Sequence, residues 1–247
     1  MSFDDEEPIS LSSHALAALA EFHAEKDAHE KTFEKLRTGA APRAGAGLGV
    51  VEPEDEDPVA EDADDQPLSM AAFTEDWNES QFWFLDETAF ALADQLLDGA
   101  SSSSIIGVVS TPSRFWPIED RPKLVLLEHD HRFSVFPEFV FYDFQRPLQL
   151  PAHLKGSLDS VIIDPPFFSN DCQTKFALTG RWLVKPKSPR VIVCTGERMA
   201  TIVDKLYRSL GVYATTFEPA HAGLSNHYYC YANFESSTWD WRSDESD

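Results

Sequence analysis

The sequence predicts an α/β fold: a Rossmann-like, seven-stranded, mostly parallel sheet with an antiparallel last strand and helices on both faces. Three observations predict it. Short apolar runs such as IIGVV, LVLL and VII recur as they do in strands covered on both faces. Residues 197–210 read as a crossover helix before the final pair of strands. That last pair is divided by only nine residues, PAHAGLSNH, too few for a helical crossover and suited to an antiparallel hairpin.

In chain order, Ser13 caps a helix over 13–37 whose apolar positions Leu16, Leu19, Phe22, Phe33 and Leu36 recur near helical spacing. From 39 to 67 the chain turns to Gly, Ala and Pro and then to VEPEDEDPVAEDADDQP, which has too little apolar surface to offset chain entropy and reads as an acidic disordered linker. Residues 86–98 are helical, with Asp86 suiting the positive end of the helix dipole and Gly99 ending it. Strands are predicted at 105–109, 124–127, 139–142, 160–163, 190–194, 215–218 and 228–234. The organisation is thus an amphipathic helical segment at 1–38, a linker at 39–70, the catalytic-type domain at 71–240 and an acidic tail at 241–247.

The net charge of −22 is unevenly spread: residues 1–70 hold 18 acids and 5 bases, or −13, which leaves −9 for residues 71–247. Such a field repels phosphate backbones and favours basic partners, so stable nucleic-acid binding is not expected. Three cysteines without paired ligand spacing, and no secretory leader, fit a reducing compartment. No apolar run reaches ~18 residues, so no membrane span is expected. The expectation is a soluble, cytoplasmic monomer.

Ligands of open α/β sheets lie at the carboxyl ends of the strands. The first strand ends in Ser110 and Thr111, the second in Glu128, His129 and Asp130, the third in Asp143 and Phe144, and the fourth in Asp164, Pro165, Pro166 and Phe167. Glu128 lies 18 residues after Ser110 (128 − 110), the offset at which a second-strand acid reaches the ribose hydroxyls of a nucleotide-like ligand. No G-x-G-x-x-G follows the first strand, which disfavours NAD and ATP and favours a nucleoside without phosphates. In SVIIDPPFFSN, Asp164 and the Pro165 carbonyl supply two acceptors, the prolines stiffen their direction, and Phe167 adds a flat face. Two acceptors beside an aromatic hold an amine, as direct methyl transfer from sulfur to nitrogen requires.

The D-P-P-F run, the strand order and the missing phosphate glycines resemble the class I S-adenosylmethionine-dependent amino methyltransferases. QFWF at 81–84, VSTPS, LLEHDHRF, FVFYDF, IIDPPFFS and HYYCYANF, with the opening SSHALAALAEFHAE, further resemble the elongation factor 1-alpha lysine methyltransferase family once labelled adenine-N6 DNA methyltransferase. The resemblance implies an S-adenosyl-L-methionine cofactor and an elongation factor 1-alpha substrate. It also implies Asp164, Pro165, Pro166 and Phe167 at the amine, with Glu128 at the ribose, beside Asp130, and Asp143 with Phe144 at the adenine. Gln81 and Phe82 would border the methionine end, Ser110 and Thr111 would replace the usual glycine loop, and Trp83, Phe168 and Asn226 would line the substrate pocket.

Each feature also has a plainer reading. D-P-P-F alone is turn chemistry about once in three, Glu128 and Asp130 can be a solvated turn, and Trp83 and Phe84 are more often core than cofactor wall. His221, Asn226 and His227 either contact substrate or are solvated loop polarity, and His129 with His131 lacks a third ligand for a metal. Three rival functions remain: an adenine-N6 methyltransferase on DNA or RNA, in which Phe167 stacks on a flipped base; a non-catalytic acidic module for a basic partner; and a nucleotide-dependent oxidoreductase, which the missing glycine motif opposes.

Overall fold

A computed structural model of the protein describes residue 73 and residues 81–111, 122–222 and 227–242. The chain forms two units, Met1–Thr74 and Glu75–Asp247, and the elements below belong to the second. The expected helix over 13–37, the linker, Asn226 and residues 243–247 of the acidic tail lie outside the described residues.

Helix α1 (Asp86–Leu97) begins with two acids and buries Thr88, Ala89, Leu92, Gln95 and Leu96, one stripe at helical spacing. Gly99, at φ 71°, takes the left-handed turn that follows it. The strands are β1 (Ile105–Val109), β2 (Lys123–Glu128), β3 (Phe139–Phe141), β4 (Ser160–Ile163), β5 (Arg190–Gly196), β6 (Tyr213–Ala214) and β7 (Tyr228–Ala232). They form one seven-stranded sheet in the order β3-β2-β1-β4-β5-β7-β6. The first five pair in parallel and β7 runs antiparallel to both β5 and β6. All four residues of β4 are buried, the signature of a strand covered on both faces.

Helices α2 (Asn170–Leu183) and α3 (Ala200–Tyr207) complete the described frame. Ser169 caps α2 by accepting from the Cys172 amide at 3.2 Å, so the D-P-P-F turn runs directly into a helix that sequence reading did not include. The crossover expected over 197–210 is α3 flanked by single 3-10 turns at Glu197–Met199 and Arg208–Leu210. The sixth strand is a correction. It lies at Tyr213–Ala214 rather than at 215–218, because Thr215 and Phe217 both bond to the single residue Cys230 of β7, which breaks the regular ladder, while Thr215 bridges to Trp241 and the Thr216 amide donates to Asp240 of the C-terminal segment.

Gly107, in the middle of β1, marks where packing is tightest. A Cβ there would stand 2.3 Å from Leu158 Cδ1 and 3.3 Å from Val161 Cγ2. Alanine would gain about 0.5–1 kcal/mol in backbone entropy, but Leu158 and Val161 are fully buried and have nowhere to retreat. Gly107→Ala is therefore expected to destabilise the fold by about 1–3 kcal/mol, as a lower urea midpoint with an unchanged slope. Wild-type stability would show that Leu158 turns aside freely.

Candidate active site

The carboxyl ends of β1, β2, β3 and β4 open into one cleft of about 530 Å³, within the usual range of about 300–1,000 Å³ for small-molecule sites. It is lined by Gln81, Phe82, Trp83, Ser110, Glu128, Asp130, Asp143, Phe144 and the run Asp164 to Phe167, so most of the site residues expected from sequence converge there. Thr111 does not: it is buried and faces Phe84, Ala89 and Leu92 beneath α1. Phe168 also turns away from the cleft. Its ring lies where a Cβ on Gly196 would come within 2.9 Å, and it meets Tyr228 edge-on at 5.4 Å under the Arg198 guanidinium.

At the end of β1, Ser110 has φ 53°, a left-handed conformation unusual for a residue with a side chain. Its amide still donates to the Leu127 carbonyl at 2.9 Å, so the chain turns away at the last ladder bond. At the end of β2, Glu128 is almost wholly buried, and its Oε1 accepts from the His129 amide at 2.8 Å and the Asp130 amide at 3.3 Å. Among the described residues no hydrogen bond takes its second oxygen. Burial pushes the Glu128 carboxyl up to about 7 from its ordinary 4.5, only partly offset by those two amides. Asp130 is held differently: burial pushes it up, but bonds from Arg132 Nε (2.7 Å) and Gln81 Nε2 (3.0 Å) prevail and keep it below the usual carboxylate range. Arg132 also donates to Gln81 Oε1 at 2.8 Å, which fastens the segment before α1 to the β2 end.

Across the cleft, Phe144 lies 5.8 Å from Phe167 and 5.9 Å from Phe176, ring centre to ring centre. Gln173 of α2 donates to the Phe167 carbonyl at 3.3 Å and to Thr195 Oγ1 at 3.0 Å, which fixes the far end of the D-P-P-F turn. Among the described residues no hydrogen bond takes the Pro165 carbonyl. The Asp164 amide continues the ladder to Val109, and its carboxylate stands 3.6 Å from His221 Nε2. Burial raises the Asp164 carboxyl above the ordinary range, against the lowering effect of His221. Phe167, at 40% exposure, forms the cleft's outer face.

Sequence reading did not include Arg132, Tyr142, Gln145, Phe176 or Tyr228 in this cleft, and left His221 between loop and site. Arg132 and Tyr228 stand inside the LLEHDHRF and HYYCYANF stretches, so position within those motifs was the available signal. For His221 there was none. Its place is set by a backbone bridge to Phe84, supported by Leu85 N to Ala220 O at 2.8 Å and Ala222 N to Trp83 O at 3.1 Å.

The donor set suits S-adenosylmethionine. A buried carboxylate at the end of β2 takes ribose hydroxyls, Asp143 and Phe144 offer an acceptor and a ring face to a base, and the cleft holds no phosphate loop. A sheet whose seventh strand inserts antiparallel between the fifth and sixth, with an acid–proline–proline–aromatic turn after the fourth, defines a class I S-adenosylmethionine-dependent amino methyltransferase. The sequence model described as "Probable N6-adenine methyltransferase" matches residues 75–236. The chain is 38% identical to the protein-lysine N-methyltransferase EFM5 of Saccharomyces cerevisiae, covering 95% of each. It is 35% identical to EEF1A lysine methyltransferase 1 of Gallus gallus over 96% of this chain and 99% of that one, and 32% identical to the Homo sapiens protein over 94% and 95%. The chain belongs to this family of EEF1A lysine methyltransferases.

Proposed function

We propose that the protein transfers a methyl group to the ε-amine of a lysine on translation elongation factor 1A, acting as a monomer in the cytoplasm. Bound in the cleft, S-adenosylmethionine supplies an electrophilic methyl on sulfur. The chain's own residues do the rest. Glu128 accepts the ribose hydroxyls, Asp143 and Phe144 hold the adenine, and Gln81 and Phe82 border the methionine end. Asp164 and the Pro165 carbonyl take the hydrogens of the target nitrogen so that its lone pair faces the methyl, while Phe167 and Trp83 exclude water.

The observation that carries the lysine reading is the sign of the cleft. Glu128, Asp130, Asp143 and Asp164 line it against a single Arg132, whose guanidinium already pairs with Asp130. A desolvated Asp164 gains most from a ligand that arrives as a cation, as a lysine side chain does near neutral pH. The same field opposes the phosphates of a nucleic acid and so disfavours the adenine reading that the family model's description carries. No described helix is long and apolar enough to cross a membrane.

The test is to incubate the protein with labelled S-adenosylmethionine and a cell extract, with and without nuclease, and resolve the labelled species. The expected product is one protein band of elongation-factor size; label confined to nuclease-sensitive material would sink the lysine reading.

The cofactor step carries its own prediction. With the Glu128 carboxyl at about 7, the folded protein holds that proton between its ordinary 4.5 and 7, so this group's contribution to stability declines as pH rises through 7. Ribose hydroxyls bind the ionised form, so binding must expel the proton below 7. Affinity for S-adenosylhomocysteine is expected to fall on the order of tenfold from pH 8 to pH 6, and Glu128→Gln is expected to flatten the calorimetric profile. An equal slope in both proteins would move the titration to another group.

A further inference from the structure

The His221 side chain is only 2% exposed, and its ring packs against those of Phe84, at 4.4 Å, and Tyr228, at 4.1 Å between ring centres. Its Nδ1 is buried without a hydrogen-bond partner among the described residues, while Nε2 stands 3.6 Å from Asp164 Oδ2. A buried N–H with no acceptor costs more than a bare lone pair, because it forfeits a full donor bond. The arrangement therefore favours the tautomer with its proton on Nε2, directed at the carboxylate. At 3.6 Å the pair stands just beyond hydrogen-bond range, as is common before a substrate draws a site together.

We propose that His221 is the positioning residue of the amine site: by donating from Nε2 to Oδ2, it fixes the plane of the Asp164 carboxylate and leaves Oδ1 for the target amine. The proposal rests on the amine-pocket reading above. A carboxylate at the end of a strand can rotate about its terminal torsion, and an acceptor that rotates does not aim a lone pair. Asp164 has no other side-chain donor among the described residues, so one imidazole decides its orientation. The imidazole is in turn immobilised by two rings and by the backbone bridge between Phe84 and His221. The pocket thus draws on three separate stretches of chain: the segment before α1, the turn after β4, and the loop leading to β7.

Three variants separate positioning from packing. His221→Phe keeps an aromatic ring between Phe84 and Tyr228 but has no donor. His221→Asn places its amide near Nδ1, and His221→Gln places an N–H near Nε2. With cofactor and protein substrate both saturating, His221→Phe and His221→Asn are expected to lose ~10- to 100-fold in turnover, with cofactor affinity within about twofold of wild type. His221→Gln is expected to recover most of the loss. Wild-type turnover in His221→Phe would overturn the proposal, as would an equal loss in His221→Gln and His221→Asn.

Nitrogen chemical shifts of His221 in the wild-type protein give a readout that needs no activity and no variant fold. A proton on Nε2 is expected; a proton on Nδ1 would overturn the proposal. A wild-type protein that methylates no protein would instead sink the function proposed above, and the tautomer measurement would still decide the role of His221.

Discussion

Asp164→Asn is expected to lower turnover by at least ~100-fold with cofactor saturating, while cofactor affinity changes far less. A free lysine has a pKa near ~10.4, so at neutral pH its nitrogen carries a proton and has no usable lone pair. A carboxylate beside it favours the ammonium, which helps entry but opposes attack. Deprotonation must therefore come from the water-poor wall of Phe167 and Trp83, or by proton loss through water, and Asp164 acts chiefly as an orienting acceptor. Asparagine keeps one acceptor oxygen but replaces the other with a donor. Either that donor meets the Nε2 edge of His221, or it faces the amine it should hold. Burial raises the Asp164 carboxyl above its ordinary range, and the loss of the lysine proton moves the wild-type rate upward from pH 7 towards 9. Single-turnover rates across that range check both statements. Near wild-type turnover in the variant would return the D-P-P-F run to the status of a turn.

Glu128→Ala is expected to weaken S-adenosylmethionine binding by about 1.5–3 kcal/mol, the loss for a hydrogen-bonded charged group, or roughly 10- to 150-fold in Kd. Two effects combine. The ribose loses its acceptor, and the amides of His129 and Asp130 lose the oxygen that orders the turn after β2. Glu128→Gln separates them, since its amide oxygen can still accept from the turn while its other half presents a donor to the ribose. Calorimetry showing intact affinity in Glu128→Ala would leave Glu128 the turn-ordering role alone.

Six of the seven strands were legible because each of those six had its own local signature. Apolar runs such as Val161, Ile162 and Ile163 follow from burial on both faces, and their ends name the cleft because side chains leave a parallel sheet there. What stayed hidden depends on contacts between distant residues. Helix α2 buries Gln173 and Thr179, whose side chains reach Thr195 and Tyr142, so polar letters occupy its inner face and break the apolar rhythm. The segment 215–218 alternates like a strand, but it shares one residue of β7, Cys230, between Thr215 and Phe217 and turns to the C-terminal segment as well, and the local pattern says nothing of Trp241. His221 read as either a substrate contact or solvated loop polarity, and its burial comes from the bridge to Phe84 and from the rings of Phe84 and Tyr228, all distant in sequence or across the loop. Phe167 and Phe168 are adjacent and alike in sequence, yet the turn sends one to the cleft and the other against Gly196.

The bridge between Phe84 and His221 joins the first described segment of the domain to one of its last. On a ribosome the two are made at opposite ends of the domain's synthesis, and neither has its partner until the loop before β7 has emerged. Contacts of such long sequence separation form late, because chain closure must be completed before they are rewarded. The nascent chain therefore lays down its central strands, and with them Glu128 and the D-P-P-F turn, before it has a walled site. Competence to transfer methyl groups arrives as a step near the end of the domain's synthesis, and a chain broken off before His221 holds the acids of the cleft without the histidine and tyrosine that close it.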